Sequence, residues 1–130
     1  MMPLCQAEGV GVIPWSPLAR GRLTRPWGQQ GSTDRVGTDE FGKTLYAKTE
    51  AADRCVVDRV EQLSSARGVP MAQVALAWML HKPFVTSPII GATKVRHLED
   101  ALGALSLRLS PEEINSLEEG YVPHPVLGFS

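Results

Sequence analysis

A chain of 130 residues is long enough for one ordinary hydrophobic core, burying roughly two-thirds of the surface its unfolded form exposes, so a single domain over 1–130 is expected. Its 13 basic and 14 acidic residues leave a formal net charge of -1, which excludes the electrostatic footprint of a nucleic-acid binder and a polybasic membrane anchor. Cys5 and Cys55 stand far apart without a CxxC pattern or clustered histidines, so a zinc site and a disulfide framework are excluded in favour of buried or idle thiols.

The leading MMPLC has neither the charged start nor the apolar core of a signal peptide, and no run approaches the roughly 18 apolar residues of a membrane span. A cytoplasmic chain with no membrane partner is expected. The first element is the short apolar run 10–15, VGVIPW, broken by Gly11 and read as a strand covered on both faces, as in parallel sheets. After WSPLARGRL, the stretch 24–49 places Pro26, Gly28, Gly31, Gly37 and Gly42 among polar residues and reads as a long mobile loop. Over 50–67, Ala52, Val56, Val60 and Leu63 recur every three or four residues, which predicts an amphipathic helix with Gly68 as its left-handed cap.

Pro70, suited to a first helical position, then opens MAQVALAWMLHK, apolar nearly all round; a helix of that kind must be buried among other elements, with Trp78 and Met79 in the core. FVTSPIIG, 84–91, is the second strand, ended by Gly91, with Pro88 weakening its early half. The next helix, 94–105, aligns Val95, Leu98, Leu102 and Leu105 on one stripe. Ser110-Pro111-Glu112-Glu113 is a capping box that opens a last helix with Ile114 and Leu117 inward. The Pro-rich tail 121–130 is too apolar for a solvated linker and is expected to lie in a surface groove.

Strand, loop, two helices, strand and two helices make the α/β alternation of a parallel sheet. Two parallel strands cannot form a sheet covered on both faces, so these elements call for further strands beside them. Both polar clusters directly follow a strand, WSPLARG after 10–14 and GATK after Ile89 and Ile90. In α/β folds such loops open into one crevice. Trp15 offers a flat ring for stacking on a heteroaromatic group, Ser16 a hydroxyl for a phosphate or amide, and Arg20 with Gly21 charge and close backbone approach for a diphosphate. Thr93 and Lys94 follow the strand-ending Gly91 and precede a helix N-terminus, where free N–H groups and the dipole favour a phosphate monoester.

WSPLARGRL, followed past the predicted helices by PIIGATKVRHLEDALGAL and closed by YVPHPVLGF, resembles the C-terminal part of the aldo-keto reductases, NADPH-using (β/α)8 barrels of the bacterial type. The resemblance covers nearly the whole chain. It implies an α/β fold that is the C-terminal portion of a TIM barrel, with 10–15 as the seventh strand and 86–91 as the eighth. It also implies NADP(H) as cofactor, with Trp15 on the nicotinamide, Ser16, Leu18 and Gly21 along the pyrophosphate, Thr93 and Lys94 on the adenosine 2′-phosphate, and Asp100 facing the adenosine. Arg20, Gly91 and His97 join that set by position. Ala101 stands where the family usually has Asn, and His97 where Gln or Arg is common, so adenosine binding is expected to be weaker or differently arranged. The family's catalytic Asp, Tyr, Lys and His lie on strands preceding this segment and have no matching positions here. Neither Tyr46 nor Tyr121 stands near a strand-end Lys, so no catalytic residue and no metal ligand is assigned.

Plainer readings stand beside these. Trp15 alone reads as core filling, Lys94 and Arg96 as solvated helix charges, and Arg20 and Arg22 as surface. His81, His97 and His124 are scattered, and Glu112, Glu113, Glu118 and Glu119 fit capping and a solvated face. The ordered motifs favour a cofactor-binding segment of an oxidoreductase whose complete form transfers hydride between NADPH and an aldehyde or ketone, inactive alone. Its partners would be NADP(H) and a small carbonyl substrate in a complete barrel, and a complementary N-terminal barrel chain. The alternatives are a non-catalytic nucleotide-phosphate binding module and a truncated product without activity.

Overall fold

The computed structural model of the chain describes residues 1–30, 45–46 and 49–123. A short helix α1, Met2–Ala7, with a proline in its first turn and no buried residue, leads into the first extended segment, 10–15. α2 runs over Glu50–Arg67 as predicted; Glu50 and Asp53 in its first turn and Arg67 in its last suit the helix dipole. Gly68, at φ 63, is the left-handed cap, and the Ser64 hydroxyl donates to the Val69 carbonyl just beyond it. The inward stripe is rotated from the predicted one. Val57 and Val60 are its buried pair, while Val56, Leu63 and Ala52 are half-buried at its margins, because α2 is covered by the helices Met71–Leu80 and Pro111–Glu118 and by the turns that follow the first segment.

α3, Met71–Leu80, starts one residue later than predicted: Pro70, at ψ 144, is the extended residue before the helix. Met71, Val74, Ala75, Leu76 and Ala77 are buried, as its all-round apolar composition required, and Trp78 packs on the core at half-burial. α4, Val95–Gly103, and α5, Pro111–Glu118, follow. The capping box of α5 is formed as read: the Ser110 hydroxyl accepts from the Glu113 N–H at 3.3 Å, and the Glu113 carboxylate accepts from the Ser110 N–H at 2.7 Å. Leu117 is buried and Ile114 packs beside it, in one cluster with Val57, Val60, Met71, Val74, Ala77 and Leu109.

The two extended segments lie in parallel, with Val12 in register with Val85 and Trp15 with Ile89. Thr86 and Ile89 donate their N–H groups to the carbonyls of Val12 and Pro14 at 2.8 and 2.9 Å. These are isolated bridges, which corrects the expectation of two regular strands. Pro14 and Pro88 have no N–H to give, and the Val12 N–H turns to the Thr86 hydroxyl at 3.1 Å. Gly11 permits this approach, since a Cβ there would lie 2.9 Å from that hydroxyl.

The expectation that both faces of these segments are covered is also corrected, because Val10, Ile13 and Ile89 are exposed. The α4 stripe exists but faces outward: Val95, Leu98, Leu102 and Leu105 are 74, 46, 56 and 60 % exposed. Within the predicted loop 24–49, residues 31–44 and 47–48 lie outside the described residues, and the part before them is ordered into tight 3-10 turns, Ala19–Thr24 and Trp27–Gln29. Of the tail 121–130, residues 124–130 lie outside the described residues, and 121–123 are exposed rather than seated in a groove. Both thiols are free; Cys55 is exposed and Cys5 half-buried. Among the described residues no helix is long and apolar enough to cross a membrane.

Candidate functional site

Trp15 ends the first segment with 62 % of its surface exposed. The chain then takes an unusual course. Ser16, Ala19 and Arg20 have φ of 50, 48 and 56, and Gly21 has φ 98. For a residue with a Cβ this conformation costs roughly 1–2 kcal/mol, and it persists only where the surroundings hold it. Here they do. Ala19 and Gly21 donate backbone bonds to Ser16 and Leu18, and the Thr24 hydroxyl donates to the Gly21 carbonyl at 2.7 Å. The Gln30 amide donates to the carbonyls of Arg22 and Arg25 at 2.9 and 3.0 Å. Pro17 is buried, and Leu23 and Trp27 pack against the core cluster.

Arg22, which reads as surface from sequence, is stacked instead: its guanidinium lies 4.4 Å from the Tyr46 ring centre and 5.7 Å from that of Trp27. Gln30, Trp27 and Tyr46 are thus supports of the loop that sequence reasoning missed. A glutamine or a distant tyrosine carries no local signal of such a role.

The second cluster leaves the other segment. Gly91, Thr93 and Lys94 are exposed, and Lys94, at φ -136 and ψ 147, is the residue before the nine-residue α4. Its side chain does not cap the helix and the first turn holds no acidic residue, so Lys94, Arg96 and the α4 dipole add with one sign. His97 is exposed on the first turn of α4, and Asp100 is half-buried one turn further on. A Cβ on Gly91 would meet nothing within 4 Å, so its surroundings are open.

Because Trp15 and Ile89 pair in parallel, the loops 16–21 and 91–94 leave adjacent segments at the same end. The structure therefore brings together Trp15 and the start of the second loop. Leu18 is half-buried in the first loop. The donors on offer are a hydroxyl and two cations at a helix N-terminus, beside an exposed indole. That set fits a flat ring linked to phosphates. An open hollow on α2 lined by Asp58, Glu61, Gln62 and Ser65 is acidic and does not fit a phosphate. Among the described residues no cluster of His, Cys, Asp or Glu is placed to hold a metal.

Residues 1–121 match the model of the Aldo/keto reductase family. A versiconal hemiacetal acetate reductase of Aspergillus parasiticus is 43% identical over 127 residues, which cover 97% of this chain and 36% of that protein. An aldo-keto reductase of Fusarium vanettenii is 42% identical over 130 residues, 100% of this chain and 34% of that one. Among solved structures, a thermostable aldo-keto reductase in complex with the inhibitor epalrestat is similar with a TM-score of 0.62 at 25% identity, covering 92% of this chain and 33% of that chain. The chain spans about a third of the length of the curated relatives it matches.

Proposed function

Because the chain belongs to the aldo/keto reductase family, we propose that it is the cofactor-gripping portion of an NADPH-dependent oxidoreductase, the C-terminal part of a TIM barrel whose whole form passes hydride between NADPH and an aldehyde or ketone. The observation that carries this reading is the parallel pairing of Trp15 with Ile89, from which two phosphate-suited loops leave side by side. Bound there, the nicotinamide supplies the hydride. The chain's residues hold and orient. The Trp15 indole stacks on the nicotinamide ring and shields one face from water. Ser16 donates its hydroxyl, and Leu18, Arg20 and Gly21 line the diphosphate, Arg20 with its charge. Gly91, Thr93 and Lys94 take the 2′-phosphate at the start of α4, with His97 and Asp100 toward the adenosine.

No side chain of this chain is assigned to protonate the carbonyl oxygen, so reduction requires residues from other strands, and the chain by itself is inactive. Its partners are NADP(H) and a small carbonyl compound, met in the closed barrel. The free thiols of Cys5 and Cys55 support a reducing compartment, the cytoplasm.

The test is a chimera in which this chain replaces the matched part of the Aspergillus reductase. Lys94→Glu in that chimera should weaken NADPH binding about tenfold or more, the loss of one charge-assisted contact, while NADH changes by no more than about twofold. Equal losses for both would contradict the assignment of Lys94. Carbonyl reduction by the purified chain at ordinary rates, about 10 per second, would overturn the division of labour.

A further inference from the structure

Arg22 directly follows the left-handed run and sets its cation on two rings. Its guanidinium carbon lies 4.4 Å from the Tyr46 ring centre and 5.7 Å from that of Trp27, both within the roughly 6 Å over which a ring face attracts a cation. Both rings are anchored. Trp27 packs against the core cluster, and Tyr46 is tied to the start of α2, where its carbonyl accepts from the N–H of the buried Thr49 at 3.3 Å. The Thr49 hydroxyl in turn donates to the Asp53 carboxylate in the first turn of α2 at 2.7 Å. The Arg22 carbonyl accepts from the Gln30 amide at 2.9 Å, so main chain and side chain are both held. A continuous path of contacts thus runs from the core helix α2 through Tyr46 and Arg22 to the run 16–21.

We propose that Tyr46 is a positioning residue for the diphosphate grip, acting through Arg22; the assignment rests on the cofactor reading above. Three observations support it. Ser16, Ala19 and Arg20 stand at φ 50, 48 and 56, so the shape of the run has to be imposed by what surrounds it. The groups offered to a diphosphate, the Ser16 hydroxyl and the Arg20 guanidinium, belong to two of those strained residues. Relaxation of the run would turn both away together. The third observation is the chemistry of the brace. A carboxylate could also hold Arg22, but it would set a negative charge two residues from Arg20 and repel the phosphates. Ring faces hold a guanidinium without adding charge, and Arg keeps its own charge at any working pH. Arg22 is therefore the brace of the run, and Arg20 its charge. The second loop, 91–94, leaves the other segment and lies outside this path. Tyr46 accordingly acts on the part of the cofactor that NADPH and NADH share, whereas Lys94 acts on the part that distinguishes them.

Two measurements on Tyr46→Leu and Tyr46→Phe test the proposal. In the chain itself, without nucleotide, amide hydrogen exchange reads the loop at Ala19, Gly21 and Leu23, which donate to the carbonyls of Ser16, Leu18 and again Leu18. Tyr46→Leu should speed exchange there about fivefold, the loss of one ring face, with the amides of α2 and α3 unchanged. Tyr46→Phe keeps the ring and should stay within about twofold of wild type. In the chimera with the Aspergillus reductase, Tyr46→Leu should weaken NADPH and NADH alike, by about fivefold. Adenosine 2′-monophosphate, which has no diphosphate to offer the first loop, should bind as it does to wild type. Unchanged loop exchange, equal defects in the two variants, unchanged binding of NADPH and NADH, or a loss for adenosine 2′-monophosphate as large as that for NADPH would overturn the role of Tyr46. A wild-type chimera that binds neither dinucleotide, with loop exchange still faster in Tyr46→Leu, would instead sink the cofactor reading and leave the brace standing.

Discussion

Ser16, Ala19 and Arg20 are held in a backbone conformation that favours glycine, next to a glycine that requires it. At Gly21, φ 98 lies further from the left-handed minimum than any of the three, and a Cβ would stand 3.4 Å from the Arg25 guanidinium. Gly21→Ala is therefore expected to destabilise the chain by about 1–2 kcal/mol. Ala19→Gly should change stability by less than about 1 kcal/mol, since relief of strain offsets the added freedom of the unfolded chain. Thermal melts of the two variants check the contrast, and equal destabilisation would show that the loop is unstrained. At this scale the sequence offered candidate donors and concealed the supports of their loop. Trp15, Ser16, Thr93 and Lys94 stand out because their chemistry is written in their side chains. The left-handed run and the Arg22 stack on Tyr46 depend on φ angles and on a residue far along the chain, which no local pattern encodes.

One polar junction ties the end of α3 to α5. The Glu118 carboxylate, on α5, accepts from the Trp78 indole N–H at 2.8 Å and from the Lys82 ammonium, which also sits 4.8 Å from the Trp78 ring centre. Hydrogen bonds from Lys82 first, and from Trp78, hold the Glu118 carboxyl below its ordinary value of 4.5. With the folded value depressed, the junction contributes fully above about pH 4.5 and fades as pH falls through the folded value. Glu118→Gln should lower stability at pH 7 by about 1 kcal/mol, the half-exposed carboxylate being partly screened, and should flatten the loss of melting temperature below about pH 4.5. An unchanged acid slope would remove the junction from the account. Ser110→Ala should cost about 1 kcal/mol through the lost cap of α5, read by urea denaturation.

Elements bounded by local chemistry were legible: the capping box at Ser110 and the glycine after α2 both stand where read. The α2 stripe was read as Ala52, Val56, Val60 and Leu63, but burial centres on Val57 and Val60, because periodicity shows that a helix has an inner face and tertiary packing chooses its centre. Glu118 reads as solvated from sequence for the same reason, since its partners lie on another helix and just beyond it.

At the scale of the whole molecule, the sequence already showed that two strands and an all-apolar helix need neighbours. The structure divides that need. α3 is satisfied by α2, α4 and the turns after the first segment, whereas the extended segments and the α4 stripe are not. The candidate site lies at one end of the paired segments, past Trp15 and Ile89.

The most direct test of the central claim is amide hydrogen exchange on the chimera with the Aspergillus reductase, with and without nucleotide. NADPH should slow exchange in both 16–23 and 93–98, whereas NADH should protect 16–23 and leave 93–98 little changed. Protection of only one loop by NADPH, or the same pattern with both nucleotides, would contradict a single dinucleotide held between the two segment ends.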